Sequence, residues 1–452
     1  MTPTKSIQFA LALAALSTAP LVRAADLLET YHEAQSQDAV FAAARATQRA
    51  GQEKLPQGRS LLLPSVNLSA NTTYNDNTIQ YRGAFLIPGV GNLPLPNGGM
   101  QFNSNGYGVT LTQPLFRQQN WVAYTEAELQ VTQTEAQFKA AEQNLIVRVA
   151  QAYFDVLIAQ DSVQLAEAQK NAISEQLEQA KRNFEVGTAT ITDTYEAQAR
   201  YDLTNSQEIA ARSNLEIKKR ALQQIVYAVP GDLRHLGKEL KLDAPQPGDV
   251  EKWVEEAQQR SLQVVVAQAG AELAEKEVAR NRGGHYPTLD LVASYAEVSA
   301  GGGAFGFGSD GHNKAIGVQL NLPLYQGGEV QSKLREAEAN NDRAKQDLEN
   351  TRRTVALQTR QAYLGVVDGI AQVKALQQAL KSSESLLEAS KLGQEVGVRT
   401  NLDVLNAQQQ LYSTRRDLYQ AEYNYLISQL QLKAATGTLV EEDLAKINQA
   451  LY

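Results

Sequence analysis

The chain contains no cysteine, and among its 452 residues there are only four histidines, two methionines and two tryptophans. Without cysteine there is no disulfide framework and no lipid-modified N-terminal thiol. Whatever holds such a protein in a membrane is its own fold. His32, His235, His285 and His312 are scattered without metal-ligand spacing, and phosphate loops and nucleophile elbows are absent. The glycine-rich run at 301–306 follows a strand pattern but opens no helix, so it reads as a loop rather than a nucleotide site. No enzyme, cofactor or metal is expected. Positive charge is also in deficit, with 42 Lys and Arg against 50 Asp and Glu, and a net charge of −8. That balance argues against nucleic acid as a partner, which demands a basic face.

Long hydrophobic runs are missing as well. Past the N-terminus no window approaches the about 20 apolar residues of a membrane helix. Any membrane role falls to β-strands, whose alternating pattern a hydropathy average does not register. The one apolar run stands at the start: Lys5 precedes residues 7–16, which are broken only by Gln8. Pro20 and the small-residue pattern Val22-Arg23-Ala24 follow, placing a cleavage site between Ala24 and Ala25. Residues 1–24 are therefore expected to be a cleaved secretory signal. Its loss takes Lys5 and Arg23 and no acidic residue, moving the net charge from −8 to −10.

What is present is one unit written twice. Gly108-Val109-Thr110-Leu111-Thr112-Gln113-Pro114-Leu115-Phe116 returns as Gly317-Val318-Gln319-Leu320-Asn321-Leu322-Pro323-Leu324-Tyr325. Gln151-Ala152-Tyr153 returns as Gln361-Ala362-Tyr363, and Val186-Gly187 with Thr190 and Asp193 returns as Val396-Gly397 with Thr400 and Asp403. The shift stays at about 210 residues, the mark of a duplicated supersecondary unit. Each copy reads helix, strand, loop, strand, long helix, turn, long helix. In the strands Val66, Leu68, Ala70, Thr72 and Tyr74 alternate with Asn67, Ser69, Asn71, Thr73 and Asn75. Ile316, Val318, Leu320 and Leu322 alternate likewise with Gly317, Gln319 and Asn321. A one-sided sheet in a soluble sandwich gives the same alternation. Gly- and Pro-rich loops are expected at about 82–105 and 300–313.

The helices carry a three-four spacing of apolar and small residues. It runs through Leu145, Val149, Ala152, Val156, Ala159, Val163, Ala166, Ile173, Leu177, Ala180 and Phe184, interrupted only by Lys170. The second copy keeps the register at Val355, Thr359, Ala362, Val366, Gly369, Val373, Leu376, Leu380, Ser383 and Leu387. Extended back to Pro114, the first pattern implies a helix of roughly 70 residues and about 100 Å. No compact domain houses that length, so neighbours are needed throughout. Prolines mark the expected joints: Pro64 and Pro287 between helix and strand, Pro114 and Pro323 between strand and long helix. Four strands cannot close a barrel, since the smallest in membranes have about 8. An open edge in lipid leaves backbone groups unsatisfied, so four strands per chain force an oligomer of two, three or more copies.

Several local motifs, in order on the duplication, carry a family resemblance. They are Gly284-His285-Tyr286-Pro287-Thr288-Leu289-Asp290-Leu291, Leu322-Pro323-Leu324-Tyr325-Gln326-Gly327-Gly328, Val396-Gly397-Val398-Arg399-Thr400, Asp403-Val404-Leu405 and Tyr423-Asn424-Tyr425-Leu426-Ile427. Across essentially the whole mature chain the sequence resembles the TolC family of outer-membrane factors. The resemblance implies an α+β membrane protein: a homotrimer with a 12-stranded transmembrane β-barrel continuous with a long periplasmic α-helical barrel. It implies residence in the outer membrane, docking to a periplasmic adaptor (membrane fusion) protein, and an inner-membrane transporter that drives drug efflux or type I protein secretion. The expected division is signal peptide 1–24, first repeat 25–229, equatorial linker 230–249, second repeat 250–438 and C-terminal equatorial segment 439–452. A secreted periplasmic coiled-coil protein without a pore is the rival reading.

The two helical turns resemble the family's periplasmic tips. Gly187 and Gly397 are expected past helix C-termini in left-handed geometry, and Thr190 with Asp193, and Thr400 with Asp403, as capping boxes with Asp in place of Glu. The resemblance further implies that Asp193 and Arg399 join neighbouring helices to keep the entrance closed, and that Asp403 forms a carboxylate ring. Gln394 stands where the family has a gate tyrosine, and Asn406 where it has a second constriction aspartate. Val186, Gly187, Val396 and Gly397 match the adaptor-docking turns. Tyr74, Tyr81, Tyr107, Tyr286, Tyr295 and Tyr325 are candidates for interfacial aromatic girdles. Tyr452 follows a helix-like tail rather than a strand and is set aside as a barrel terminus.

Overall fold

The computed structural model describes residues 26–452 apart from 81, 83, 90, 95–97, 229–230, 238–239 and 304–306. The expected signal segment, its cleavage site after Ala24, Tyr81 and Pro230 lie outside the described residues, as does the second half of the glycine-rich run. The chain begins with α1 (Leu27–Gln37), α2 (Ala39–Gln52) and α3 (Lys54–Ser60), followed by β1 (Ser65–Ile79), β2 (Ala84–Ile87), β3 (Gly91–Pro94) and β4 (Gly98–Phe116). Then come α4 (Gln118–Glu185), α5 (Ile191–Val226), α6 (Val250–Arg260) and α7 (Leu262–Arg282). The second copy continues with β5 (Thr288–Ala300), β6 (Ser309–Asn321), α8 (Glu329–Glu395), α9 (Asn401–Ala435) and α10 (Glu441–Asn448). The helices α4 and α8 run for 68 and 67 residues, as the spacing predicts. Among the described residues no helix is long and apolar enough to cross a membrane.

Two compact units form, and each draws on both sequence repeats. One comprises residues 48–135 and 266–350 and contains a four-stranded antiparallel sheet in the order β1-β4-β5-β6. The register aligns Val66, Leu111, Ala293 and Ile316 in one cross-strand row, and Leu68, Val109, Tyr295 and Lys314 in the next. Because side chains alternate across a strand, these rows share one face. That face lacks cover in the protomer: Leu68 is 74% exposed and Ile316 76%. The following row, Ala70, Tyr107, Glu297 and His312, turns polar. There Glu297 accepts hydrogen bonds from the hydroxyls of Tyr107 and Tyr295, with His312 Nδ1 at 3.5 Å. The outer strands β1 and β6 are edges of the sheet.

Two expectations need correction in this unit. Pro114 does not end its strand but lies within β4, and the pairing of β4 with β5 shifts register between Pro114 and Phe116. Proline has no N–H for the ladder, so the strand steps past it by an irregularity and continues. The loop at 82–105 is not wholly irregular either: β2 and β3 pair within it, and β4 begins at Gly98. The other prolines stand at the joints, with Pro64 just before β1, Pro287 just before β5 and Pro323 between β6 and α8. At the start of α4, Arg117 grips the buried Asp290 of β5 through two parallel bonds of 2.8 and 2.7 Å. A fork-to-carboxylate pair of this kind fixes both distance and orientation.

The other unit comprises residues up to 47, 136–265 and 351–452. Its seam is the predicted one: Leu145, Val149, Val156, Ala159, Val163, Ile173, Leu177 and Ala180 are buried, and so are Val355, Thr359, Val366 and Val373. Phe184 departs from the pattern and is exposed, because α4 ends one residue later and no further turn covers it. Lys170, the interruption in the seam, is paired with the buried Glu208 of α5. Tyr153, Phe154 and Tyr423 fill the main core, with Leu426, Leu430 and Leu444 around them. The segment after α5 is tied in by polar contacts. Tyr153 donates to Arg234 O at 3.0 Å, and Tyr425 Oη bridges the N–H and C=O of Asp243 at 2.8 and 3.0 Å. The C-terminal strand-like residues meet the same segment, Leu451 bridging Leu236 and Tyr452 N–H donating to His235 O at 2.9 Å. Tyr452 is thus anchored by its backbone outside the four-stranded sheet.

Candidate functional site

The turns that join α4 to α5 and α8 to α9 are built alike. At the first, Gly187 takes φ +77° and its N–H donates to Phe184 O at 3.0 Å, while Thr188 N–H donates to Asn183 O at 2.8 Å. At the second, Gly397 takes φ +75°, with Gly397 N–H to Gln394 O at 3.1 Å and Val398 N–H to Gly393 O at 2.9 Å. This paired pattern closes a helix C-terminus, and the left-handed residue in it favours glycine. The next helix starts within three residues under a reciprocal cap. Asp193 Oδ2 accepts from Thr190 N–H at 2.8 Å while Thr190 Oγ1 accepts from Asp193 N–H at 3.3 Å. Thr400 and Asp403 repeat it at 2.8 and 3.2 Å. The chain therefore reverses in a stiff, locally satisfied turn, and the tips project apolar side chains: Val186 is 73% exposed and Val396 66%.

The charges at the tips differ between the copies. Asp403 spends Oδ2 on its cap, and Oδ1 faces Arg399 Nη1 at 3.7 Å. The backbone and hydroxyl of Thr400, then Arg399, hold the Asp403 carboxyl below its ordinary range, so it is a half-exposed anion at neutral pH. Asp193 is engaged by Thr190 in its own turn, so within one protomer Arg399 meets Asp403 rather than Asp193. Gln394 Nε2 stands 3.4 Å from Asn401 Oδ1 across the second turn. Asn406 is not solitary: Arg200 of α5 donates to Asn406 Oδ1 at 2.9 Å and to Gln409 Oε1 at 2.5 Å. Sequence reasoning missed Arg200, since its acceptors lie 206 and 209 residues away and no local spacing announces them. Among the described residues no group of three or more His, Asp or Glu is placed to hold a metal ion.

Open sheet edges, an exposed apolar sheet face and paired long helical hairpins closed by capped turns are the parts of an outer-membrane channel protomer. The chain belongs to the outer membrane efflux protein family, whose pattern it matches over residues 30–226 and 253–438. It is similar to the outer membrane protein TolC of Escherichia coli (strain K12), with 36% identity over 95% of this chain and 86% of that protein. It is also similar to the alkaline protease secretion protein AprF of Pseudomonas aeruginosa, with 32% identity over 92% of this chain and 85% of that one. In fold it resembles the CmeC outer membrane channel of Campylobacter jejuni, with a TM-score of 0.78 at 18% identity, covering 94% of this chain and 89% of that chain. The fold is thus that of an outer-membrane efflux channel.

Proposed function

We propose that three copies of this chain join their sheets into one 12-stranded barrel and their helical hairpins into one periplasmic tunnel, forming a passive export duct. The observation that carries this reading is the four-stranded sheet with an uncovered apolar face and two open edges. In lipid the edges must pair, and pairing with further copies is the only closure four strands allow. The apolar row of Val66, Leu111, Ala293 and Ile316, with Leu68 and Val109 beside it, then faces hydrocarbon, and Tyr295, Lys314 and Tyr107 of the next two rows lie toward the headgroups. Transport is energised elsewhere: an inner-membrane transporter drives it, and a periplasmic adaptor docks on the tips at Val186, Gly187, Val396 and Gly397. The cargo classes suggested by the relatives are small efflux substrates and secreted proteins. No residue is assigned a catalytic role and no cofactor is invoked.

In the closed state Asp193 and Arg399 link helices of neighbouring protomers, and Asp403 lines the entrance as a three-fold ring of carboxylates, with Gln394 and Asn406 around it. The first repeat (25–229), the linker (230–249), the second repeat (250–438) and the C-terminal segment (439–452) serve this division of labour, with linker and C-terminal segment forming the equatorial belt. The test is mass in detergent together with conductance in planar bilayers. A trimer that inserts and conducts is expected. A monomer recovered from the periplasmic fraction without detergent overturns the pore in favour of a soluble coiled-coil protein.

A further inference from the structure

Each helical hairpin is bonded along its own seam. In the first, Glu208 of α5 is buried between Lys170 of α4 and Arg212, and Arg212 reaches Glu167 of α4 at 2.5 Å. In the second, Ser383 and Thr414 meet at 3.5 Å inside the seam, and Arg415 of α9 reaches Glu384 of α8 at 2.9 Å. These contacts tie each hairpin along its length. Near the core α9 also packs on α4, Tyr423 donating to Asp161 Oδ2 at 3.0 Å, and toward the tips the two hairpins meet at the α5–α9 boundary. Toward the tips, among the described residues, the side-chain hydrogen bonds across that boundary are those of Arg200 to Asn406 and Gln409.

The geometry of this contact suits a clasp. Asn406 and Gln409 are spaced i, i+3 and so share a face of α9, and one guanidinium fork reaches both carbonyl oxygens. Arg200 lies ten residues inside the cap at Thr190, and Asn406 six inside the cap at Thr400, or about 15 Å and 9 Å along their helices. Arg200 is half-buried while both acceptors are exposed. The acceptors are neutral amides, so the contact is charge-assisted on one side only, which leaves it firm but releasable. We propose that Arg200 is the clasp that holds the two hairpins of one protomer together at the entrance, and that opening requires its release from Asn406 and Gln409. Asn406 is then an acceptor chosen for a releasable bond, rather than a missing charge. The proposal rests on the tips being the gate.

The experiment uses the full-length trimer in planar bilayers, with Arg399→Ser as the reference opening variant. Arg200→Ala is expected to raise resting conductance by a factor on the order of ten, because three clasps are lost together. Asn406→Ala with Gln409→Ala removes the acceptors and leaves the arginine, and must give the same rise. Arg200→Lys, with a point charge in place of a fork, falls between. Asn406→Asp turns the clasp into an ion pair and lowers resting conductance below that of the parent. With Arg200→Ala also present, that drop vanishes and the freed carboxylate strengthens block by multivalent cations. A residue that merely supports folding gives no such dependence of 406 on 200. If Arg399→Ser opens the channel while Arg200→Ala and the acceptor variant leave it shut, the clasp is wrong and the gate stands. If all three are silent, the gate assignment falls and the clasp with it.

Discussion

The proposed carboxylate ring gives Asp403 a second job beside its helix cap, and the variants Asp403→Asn and Thr400→Ala separate the two. One oxygen accepts the Thr400 N–H and hydroxyl, both at 2.8 Å, while the other is half-exposed and faces Arg399 at 3.7 Å. Asparagine keeps an oxygen for the cap and loses the charge. Alanine at 400 keeps the charge and loses the cap acceptor, which is worth about 1 kcal/mol per helix start. Take a trivalent cation on the three-fold axis at about 6 Å from each carboxylate, in a wet entrance screened at physiological salt. The three attractions, less the opposing Arg399 charges, raise its affinity on the order of tenfold to a hundredfold. Asp403→Asn is therefore expected to weaken cation block by that factor in planar bilayers, with the melting temperature of the trimer little changed. Thr400→Ala is expected to lower the melting temperature and leave the block intact. Full block in Asp403→Asn refutes the carboxylate ring, and lost block in Thr400→Ala shows that helix-end geometry, not charge, controls the entrance.

Three further outcomes are expected. Arg399→Ser raises resting conductance, because it frees Asp403 and removes the cation assigned to the inter-protomer link; unchanged conductance makes Arg399 a helix-end feature only. Asp290→Ala leaves Arg117 without its two bonds at the junction of α4 and β5 and costs about 2 kcal/mol, below the full value for a buried pair because Arg117 is partly exposed; denaturant melts of the detergent-solubilised trimer decide it. Glu422 of α9 has its carboxyl pushed up to about 7 by burial, with Asp161 adding to the rise and Gln377 opposing it. The folded state then holds a proton that the unfolded chain releases above its ordinary value, so stability is full below that value and falls as pH rises toward about 7. Glu422→Gln should remove that slope and stabilise each protomer at pH 8 by roughly 3 kcal/mol; an unchanged slope refutes the assignment.

Legibility in the sequence followed the range of the interaction. The seam from Leu145 to Ala180 was readable because burial repeats every three or four residues, and the capped turns because each is closed by residues within five positions of one another. Phe184 fits the same register but is exposed, since a periodic pattern does not say where its neighbours stop. Lys170 reads as a flaw until Glu208 is seen beneath it. Arg117 with Asp290, 173 residues apart, and Arg200 with Asn406, 206 apart, are tertiary events with no local trace. The hairpin β2–β3 was hidden differently, in a stretch whose Gly and Pro content reads as loop although its backbone pairs.

The two tips show which part of a duplicated turn is kept and which has diverged. Their shared residues, Val186 and Val396, Gly187 and Gly397, Thr190 and Thr400, Asp193 and Asp403, make the same bonds in both copies, and those bonds stay within one turn. Such a motif survives duplication because it asks nothing of its surroundings. The residues between glycine and cap differ: Thr188 and Ala189 in the first copy, Val398 and Arg399 in the second. Only the second turn therefore carries a cation between its glycine and its cap, and only its aspartate has one within 4 Å in its own turn. One protomer thus presents one turn with an aspartate alone and one with an aspartate beside a cation. In the proposed three-fold ring the two kinds would alternate, the second tip of each copy meeting the first tip of the next. The link proposed between Arg399 and a neighbour's Asp193 would then leave both caps intact, because Asp193 Oδ2 holds its cap and the second oxygen is left for the incoming guanidinium.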